Sequence, residues 1–123
     1  MSILLDTHVL LWWLADDERL PVPMRKAVSE PDMEVFVSAA SAWEMSIKAA
    51  LGRLEMPEGL REQLRDEGFS ELPVTVEDGI AAGALPRHHD DPFDRMLIAQ
   101  ALRRDLLLLT VDRRFSDYKV RLL

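Results

Sequence analysis

Two short runs of large aliphatic residues constrain the fold more than any other feature of the chain. Ile3-Leu4-Leu5 and Leu106-Leu107-Leu108-Leu109 have no polar member to turn toward water, and each is soon followed by an aspartate, Asp6 or Asp112. A strand with one wet face alternates polar and apolar residues, whereas a strand covered on both faces has no need to. Such runs belong inside a parallel sheet flanked by helices. The segments between them carry helical spacing and helical punctuation, so strands and helices alternate. The pattern predicts strands at 2–5, 35–38 and 106–110, a further strand within 69–74 and an edge strand near 119–122. It predicts helices over 7–15, 23–29, 38 or 41 to 51, 57–67, 76–85 and 92–104, with a helical turn near Phe115. Gly52 and Gly68 supply stops, and Pro23 and Pro92 suit first-turn positions.

At 123 residues the chain is expected to form a single domain, 1–123, with one continuous core. The absence of cysteine excludes disulfides, thiolate metal sites and a cysteine nucleophile together. The N-terminus meets an acid at once and has no basic region, so it reads poorly as a signal peptide. No apolar run reaches the length of a membrane span, and a cytoplasmic protein is expected. The net charge of −7 argues against a protein that coats nucleic acid through basic stripes. It leaves room for an enzyme that uses a metal to bridge its acids to phosphate, and for a basic partner.

Four acids stand at the polar ends of apolar segments: Asp6, Glu44, Asp94 and Asp112. The crevice beyond the C-terminal strand ends of an open parallel sheet is where ligands bind. Acids gathered there repel one another, at a cost of roughly 3 kcal/mol for a pair about 5 Å apart at an effective dielectric near 20. A hard divalent cation relieves that repulsion, and an all-carboxylate set favours magnesium or manganese. Each acid also has an ordinary reading. Asp6 can cap the helix that follows it, although Thr7 can do the same. Glu44 can pair with Lys48 at i+4. In Asp91-Pro92-Phe93-Asp94, Asp91 reads as an N-cap and Asp94 as a first-turn acid, a place that also stabilises the anion a metal requires. Asp112 suits a turn.

His88-His89 lacks zinc-ligand spacing and reads as part of a loop near the substrate. Trp12, Trp13 and Trp43 read as core or interface, and the helix over 7–15 is apolar on nearly every side. Thr7, Lys48, Arg95 and Arg113 adjoin the acids and are expected to meet a phosphate-bearing substrate.

The segments Leu4-Leu5-Asp6-Thr7-His8, Ser41-Ala42-Trp43-Glu44-Met45-Ser46-Ile47-Lys48, Asp91-Pro92-Phe93-Asp94-Arg95-Met96-Leu97-Ile98-Ala99-Gln100-Ala101 and Leu109-Thr110-Val111-Asp112 together resemble a PIN domain. More narrowly, they resemble the VapC-like ribonuclease toxins of bacterial toxin–antitoxin pairs. The resemblance implies a three-layer α/β/α fold with a central parallel sheet. It implies cleavage of single-stranded or loop RNA with magnesium or manganese, inhibition by a bound antitoxin protein, and a homodimer. It makes Asp6 and Asp94 the direct metal ligands, with Glu44 and Asp112 completing the acidic site. One departure is that Arg113 and Arg114 follow Asp112, where many members are more neutral. Two other readings share the acidic α/β pattern. A receiver-like signalling domain needs paired acids after its first strand, where this chain has Asp6 followed by Thr7-His8. A PIN-like scaffold that binds RNA or protein without cleaving would have no use for all four acids.

Overall fold

A computed structural model describes residues 1–123. Four strands form one sheet: β1 (Ser2–Leu5), β2 (Glu34–Ser38), β3 (Ser70–Leu72) and β4 (Leu107–Leu109). Their order is β3-β2-β1-β4, and every pairing is parallel. The helices are α1 (Thr7–Leu14), α2 (Val22–Ser29), α3 (Ala39–Ala50), α4 (Leu60–Asp66), α5 (Val76–Ala84) and α6 (Pro92–Arg104), with a 3-10 turn at Arg113–Asp117.

The aliphatic strands are buried for the reason their composition gives. Successive side chains point to opposite faces of a sheet. Ile3, Leu5 and Leu109 enter one core with Val9 and Leu10 of α1, Met24 and Val28 of α2, Met45 of α3 and Leu64 of α4. Leu4 and Leu108 enter a second core with Leu97, Ile98 and Ala101 of α6, Phe115 and Tyr118. Two cores on opposite faces of one sheet replace the single continuous core expected, because the sheet separates its two helical layers, and they make the expected three-layer α/β/α arrangement.

Several elements differ from the sequence reading at their ends. The helix expected from Pro57 begins only at Leu60, because Gly59 adopts φ +58 and its left-handed backbone cannot join a right-handed helix. The edge strand expected near 119–122 is a single bridge between Leu108 and Leu122. Helix α1 is less deeply buried than its composition suggests. Val9 and Leu10 are buried, while Leu11, Trp12, Trp13 and Leu14 are half-buried against the first core. Gly52 and Gly68 follow α3 and α4 with φ of +72 and +73, as stops should.

The topology fixes where a site can open. From β1 the chain turns into α1 on one face, and from β4 it turns through Phe115 onto the other. Neighbouring strands whose exits diverge leave a crevice between them, and β1 and β4 are such neighbours.

Candidate active site

Asp6 sits at the crevice mouth, one residue beyond β1. Its backbone N–H donates to the Leu109 carbonyl at 2.9 Å, so the β1–β4 ladder ends at this acid. Its carboxylate caps α1 by accepting from the Thr7 N–H at 2.7 Å, and its second oxygen accepts from the Thr110 hydroxyl at 2.7 Å. The capping reading of Asp6 holds, and the carboxylate keeps lone pairs beyond those two bonds. The Thr7 hydroxyl donates to Glu44 Oε1 at 2.7 Å, and Lys48 pairs with Glu44 Oε2. Thr7 is therefore buried and committed to Glu44, which removes its hydroxyl from the substrate contacts the sequence suggests.

Asp94 lies in the first turn of α6. Asp91 caps that helix, accepting from the N–H groups of Phe93 at 2.8 Å and Asp94 at 3.1 Å. The Asp94 side chain meets His89 Nε2 at 2.6 Å. His89 lies in the loop the sequence suggests but is buried, and its ring stands edge-on to Phe115. Asp112 caps the 3-10 turn and is gripped by Arg114, whose guanidinium approaches both carboxylate oxygens at 2.7 to 3.2 Å. The nearest ligand atoms of His89, Asp94 and Asp112 all lie within 4.8 Å of one another.

The electrostatics mark this cluster as short of positive charge. Burial raises the pKa of Asp6, and the Glu44 charge adds to the rise against hydrogen bonds from Thr110 and Thr7. Burial likewise pushes Asp94 from the ordinary 3.8 up to about 7, reinforced by Asp6 and Asp91 and opposed by His89. Asp112 moves the other way, because the Arg114 hydrogen bonds favour its anion. The Glu44 carboxylate raises Lys48. Lys48 and Arg114 pair with Glu44 and Asp112, so Asp6 has no cation of its own and Asp94 has only His89, which is charged when protonated.

The donor set suits a hard divalent ion. It offers carboxylate oxygens from Asp94 and Asp112 within 4.8 Å of each other and of a His89 nitrogen. Among the basic residues, Lys48 is partly exposed while paired with Glu44, and Arg113 is exposed beside Asp112. Arg95 has a different place. It is buried, and its guanidinium points away from the acids onto main-chain carbonyls of residues 82–89, so it has no free fork for a phosphate. The sequence reading missed the His89–Asp94 contact. The histidine lies five positions before Asp94 across a turn, a spacing with no fixed geometry of its own.

Comparison with known proteins bears on the family and the fold. Residues 3–120 match the PIN domain family model. The chain is 32% identical to Ribonuclease VapC22 of Mycobacterium tuberculosis across 96% of this chain and 92% of that protein. In fold it resembles the VapBC2 structure from Rickettsia felis bound to a promoter DNA fragment, with a TM-score of 0.73, 12% identity and coverage of 100% and 98% of the two chains. It also resembles a toxin–antitoxin complex from Klebsiella pneumoniae, with a TM-score of 0.68, 16% identity and coverage of 96% and 93%. With its parallel sheet, its acid-lined crevice and a family match over nearly its full length, this chain belongs to the PIN domain family.

Proposed function

We infer that the protein is a divalent-metal-dependent endoribonuclease and the toxin of a toxin–antitoxin pair. The observation that carries this reading is the pair of buried acids, Asp6 and Asp94, at the mouth of the β1–β4 crevice, with no lysine or arginine paired to either. The relative named as a ribonuclease supports RNA as the substrate.

Asp6, Asp94 and Asp112 would hold magnesium or manganese, and Glu44 would complete the acidic set. The ion supplies Lewis acidity at a phosphate oxygen and makes water a better nucleophile near neutral pH. The chain's own groups do the rest. Thr7 and Thr110 fix the Glu44 and Asp6 carboxylates by hydroxyl donors, which orient an acid without cancelling its charge. One carboxylate of the set would orient the attacking water or accept its proton. Lys48 and Arg113 stand where the flanking phosphates of an RNA strand would pass. Attack by water leaves 5′-phosphate and 3′-hydroxyl ends. No helix is long and apolar enough to cross a membrane; on the ribonuclease reading we assign the protein to the cytoplasm.

The test is cleavage of RNA by purified protein in magnesium or manganese and in chelator. Asp94→Ala and Asp6→Ala should fold and lose more than the roughly 10–100-fold that removal of an outer-shell partner costs. Retained cleavage by the Asp94→Ala protein would refute the assignment.

Two protein partners follow from the same reading. Solved structures of similar fold are toxin–antitoxin complexes, and we assign this chain a cognate antitoxin with a basic side chain that enters the acidic site. A purified complex that cleaves RNA as fast as the free chain would exclude that role. Self-association is assigned to the face where Trp43, 64% exposed, meets Phe93 edge-on beside an apolar cavity of about 500 Å³. Sedimentation of Trp43→Glu checks it, since a dimer that persists excludes this face.

A further inference from the structure

Arg95 follows Asp94 directly, yet its guanidinium takes no part in the acidic cluster. One nitrogen, Nη2, donates to the carbonyls of Ala82 at 2.9 Å, Gly83 at 3.4 Å and Leu85 at 3.0 Å, where α5 ends. The other, Nη1, donates to Pro86 at 2.9 Å and His89 at 3.3 Å. Tyr118, from the C-terminal segment, donates its hydroxyl to the Pro86 carbonyl at 2.8 Å and lies 3.3 Å from Arg95 Nη1. His88 packs edge-on against the Tyr118 ring, and His89 against Phe115. The segment 85–91 has no helix or strand of its own. Its backbone is held from two directions, by Arg95 of α6 and by Tyr118. The side chain it delivers into the protein is His89, which is buried and bonded to Asp94 Oδ2.

We propose that His89 is a positioning residue for Asp94, and that Arg95 and Tyr118 form the clamp that holds it there. The imidazole N–H fixes one oxygen of the carboxylate and leaves the other to face a metal. This is the usual histidine–carboxylate arrangement of metal sites with the roles exchanged, because here the carboxylate is the ligand and the histidine orients it. The inference rests on the metal-site reading given above.

The experiment measures manganese binding by calorimetry on the full chain. Melting temperature in chelator confirms that each variant is folded. His89→Leu should weaken manganese binding by about 10–100-fold. His89→Gln retains an N–H donor and should recover most of that loss. Tyr118→Phe removes one oxygen from the clamp and should lose part of the affinity. The Tyr118→Phe/His89→Leu double variant should bind no more weakly than His89→Leu alone, since Tyr118 acts through His89. Wild-type affinity in His89→Leu overturns the proposal, as does a His89→Gln protein no better than His89→Leu. If His89→Leu does not fold, Tyr118→Phe decides, and unchanged affinity there overturns the clamp. Pulsed electron paramagnetic resonance adds an independent readout: a directly bound histidine nitrogen that disappears in His89→Gln would make His89 a ligand and overturn its positioning role. Asp94→Asn separates the two levels. Binding by wild type that is lost in Asp94→Asn but kept in His89→Leu refutes this inference alone. No binding by wild type refutes the metal-site reading and this inference with it.

Discussion

Asp78 and Asp94 occupy the same local position and meet opposite fates. Each is the third residue of its helix, behind an N-cap, Thr75 for α5 and Asp91 for α6. Both are buried. Asp78 is surrounded by donors: Arg104 reaches both of its oxygens, Arg103 and Gln100 reach one each, and the Thr75 N–H completes a capping box. Burial works against its charge, but these donors win and hold it well below the usual carboxylate range. Asp94 has one side-chain donor, His89, and two acidic neighbours, Asp6 and Asp91, that raise it further. The helix position and the residue type are equal, so the difference lies in what tertiary structure brings to each. An acid that serves the fold comes with its own cations. An acid left short of them is kept for a charge from outside.

The comparison breaks most visibly if Asp78 is removed. Asp78→Ala should cost about 3 kcal/mol, the lower end for breaking a buried ion pair, because Arg103 and Arg104 can turn toward solvent. Urea unfolding measures it, and a loss below about 1 kcal/mol would place Asp78 with ordinary surface acids. Asp94→Asn should do the reverse. In chelator it should match the wild type or exceed it by about 1 kcal/mol, since it relieves repulsion with Asp6. Magnesium or manganese should raise the melting temperature of the wild type and leave Asp94→Asn unmoved, because a cation that binds only the folded state stabilises by mass action. An equal response from both proteins would place the metal elsewhere.

Titration sharpens the contrast because the two acids have opposite slopes. Between the ordinary 3.8 and about 7, folded Asp94 keeps a proton that the unfolded chain has released. Its contribution to metal-free stability therefore falls as pH rises through that window. Asp78 holds its proton less tightly in the fold, so its contribution is complete above the ordinary carboxylate pKa and is lost as pH falls below it. The difference between wild type and Asp94→Asn, followed by urea unfolding in chelator, should change across pH 4 to 7 and level off above, and a flat difference would refute the Asp94 shift. The smallest effect belongs to Arg114→Ala. The Asp112 side chain is 27% exposed and Arg114 61% exposed, so their pair should contribute less than about 1 kcal/mol to stability.

These two aspartates also show what the sequence carries and what it omits. Aliphatic runs reveal the strands, because a residue with no polar atoms has one place to go. Asp91-Pro92 reveals a helix start, because capping is a matter of three consecutive residues, and the structure has that cap. The importance of Asp78 is invisible in Val76-Glu77-Asp78-Gly79, since its two arginines lie 25 and 26 residues away. Arg95 misleads for the same reason: adjacency to Asp94 suggests a shared site, yet helix geometry sends consecutive side chains in different directions. Local chemistry is legible from spacing. Partners joined by the packing of α5 on α6 are not, because no short-range pattern encodes them.

The bond from the Asp6 N–H to the Leu109 carbonyl has one more consequence. The same strand end places Thr110, whose hydroxyl holds Asp6 and accepts from the Asp112 N–H at 3.1 Å. Asp6 and Asp112 are therefore aligned by the register of β4 against β1, much as the teeth of two gears are aligned by their shafts. Deleting one residue from Leu107–Leu109 would leave every acid in the sequence, yet turn the residues beyond the deletion to the opposite face of the sheet. A descendant of this chain could lose its chemistry that way with all four carboxylates intact. Counting acids in an alignment would still score it as active.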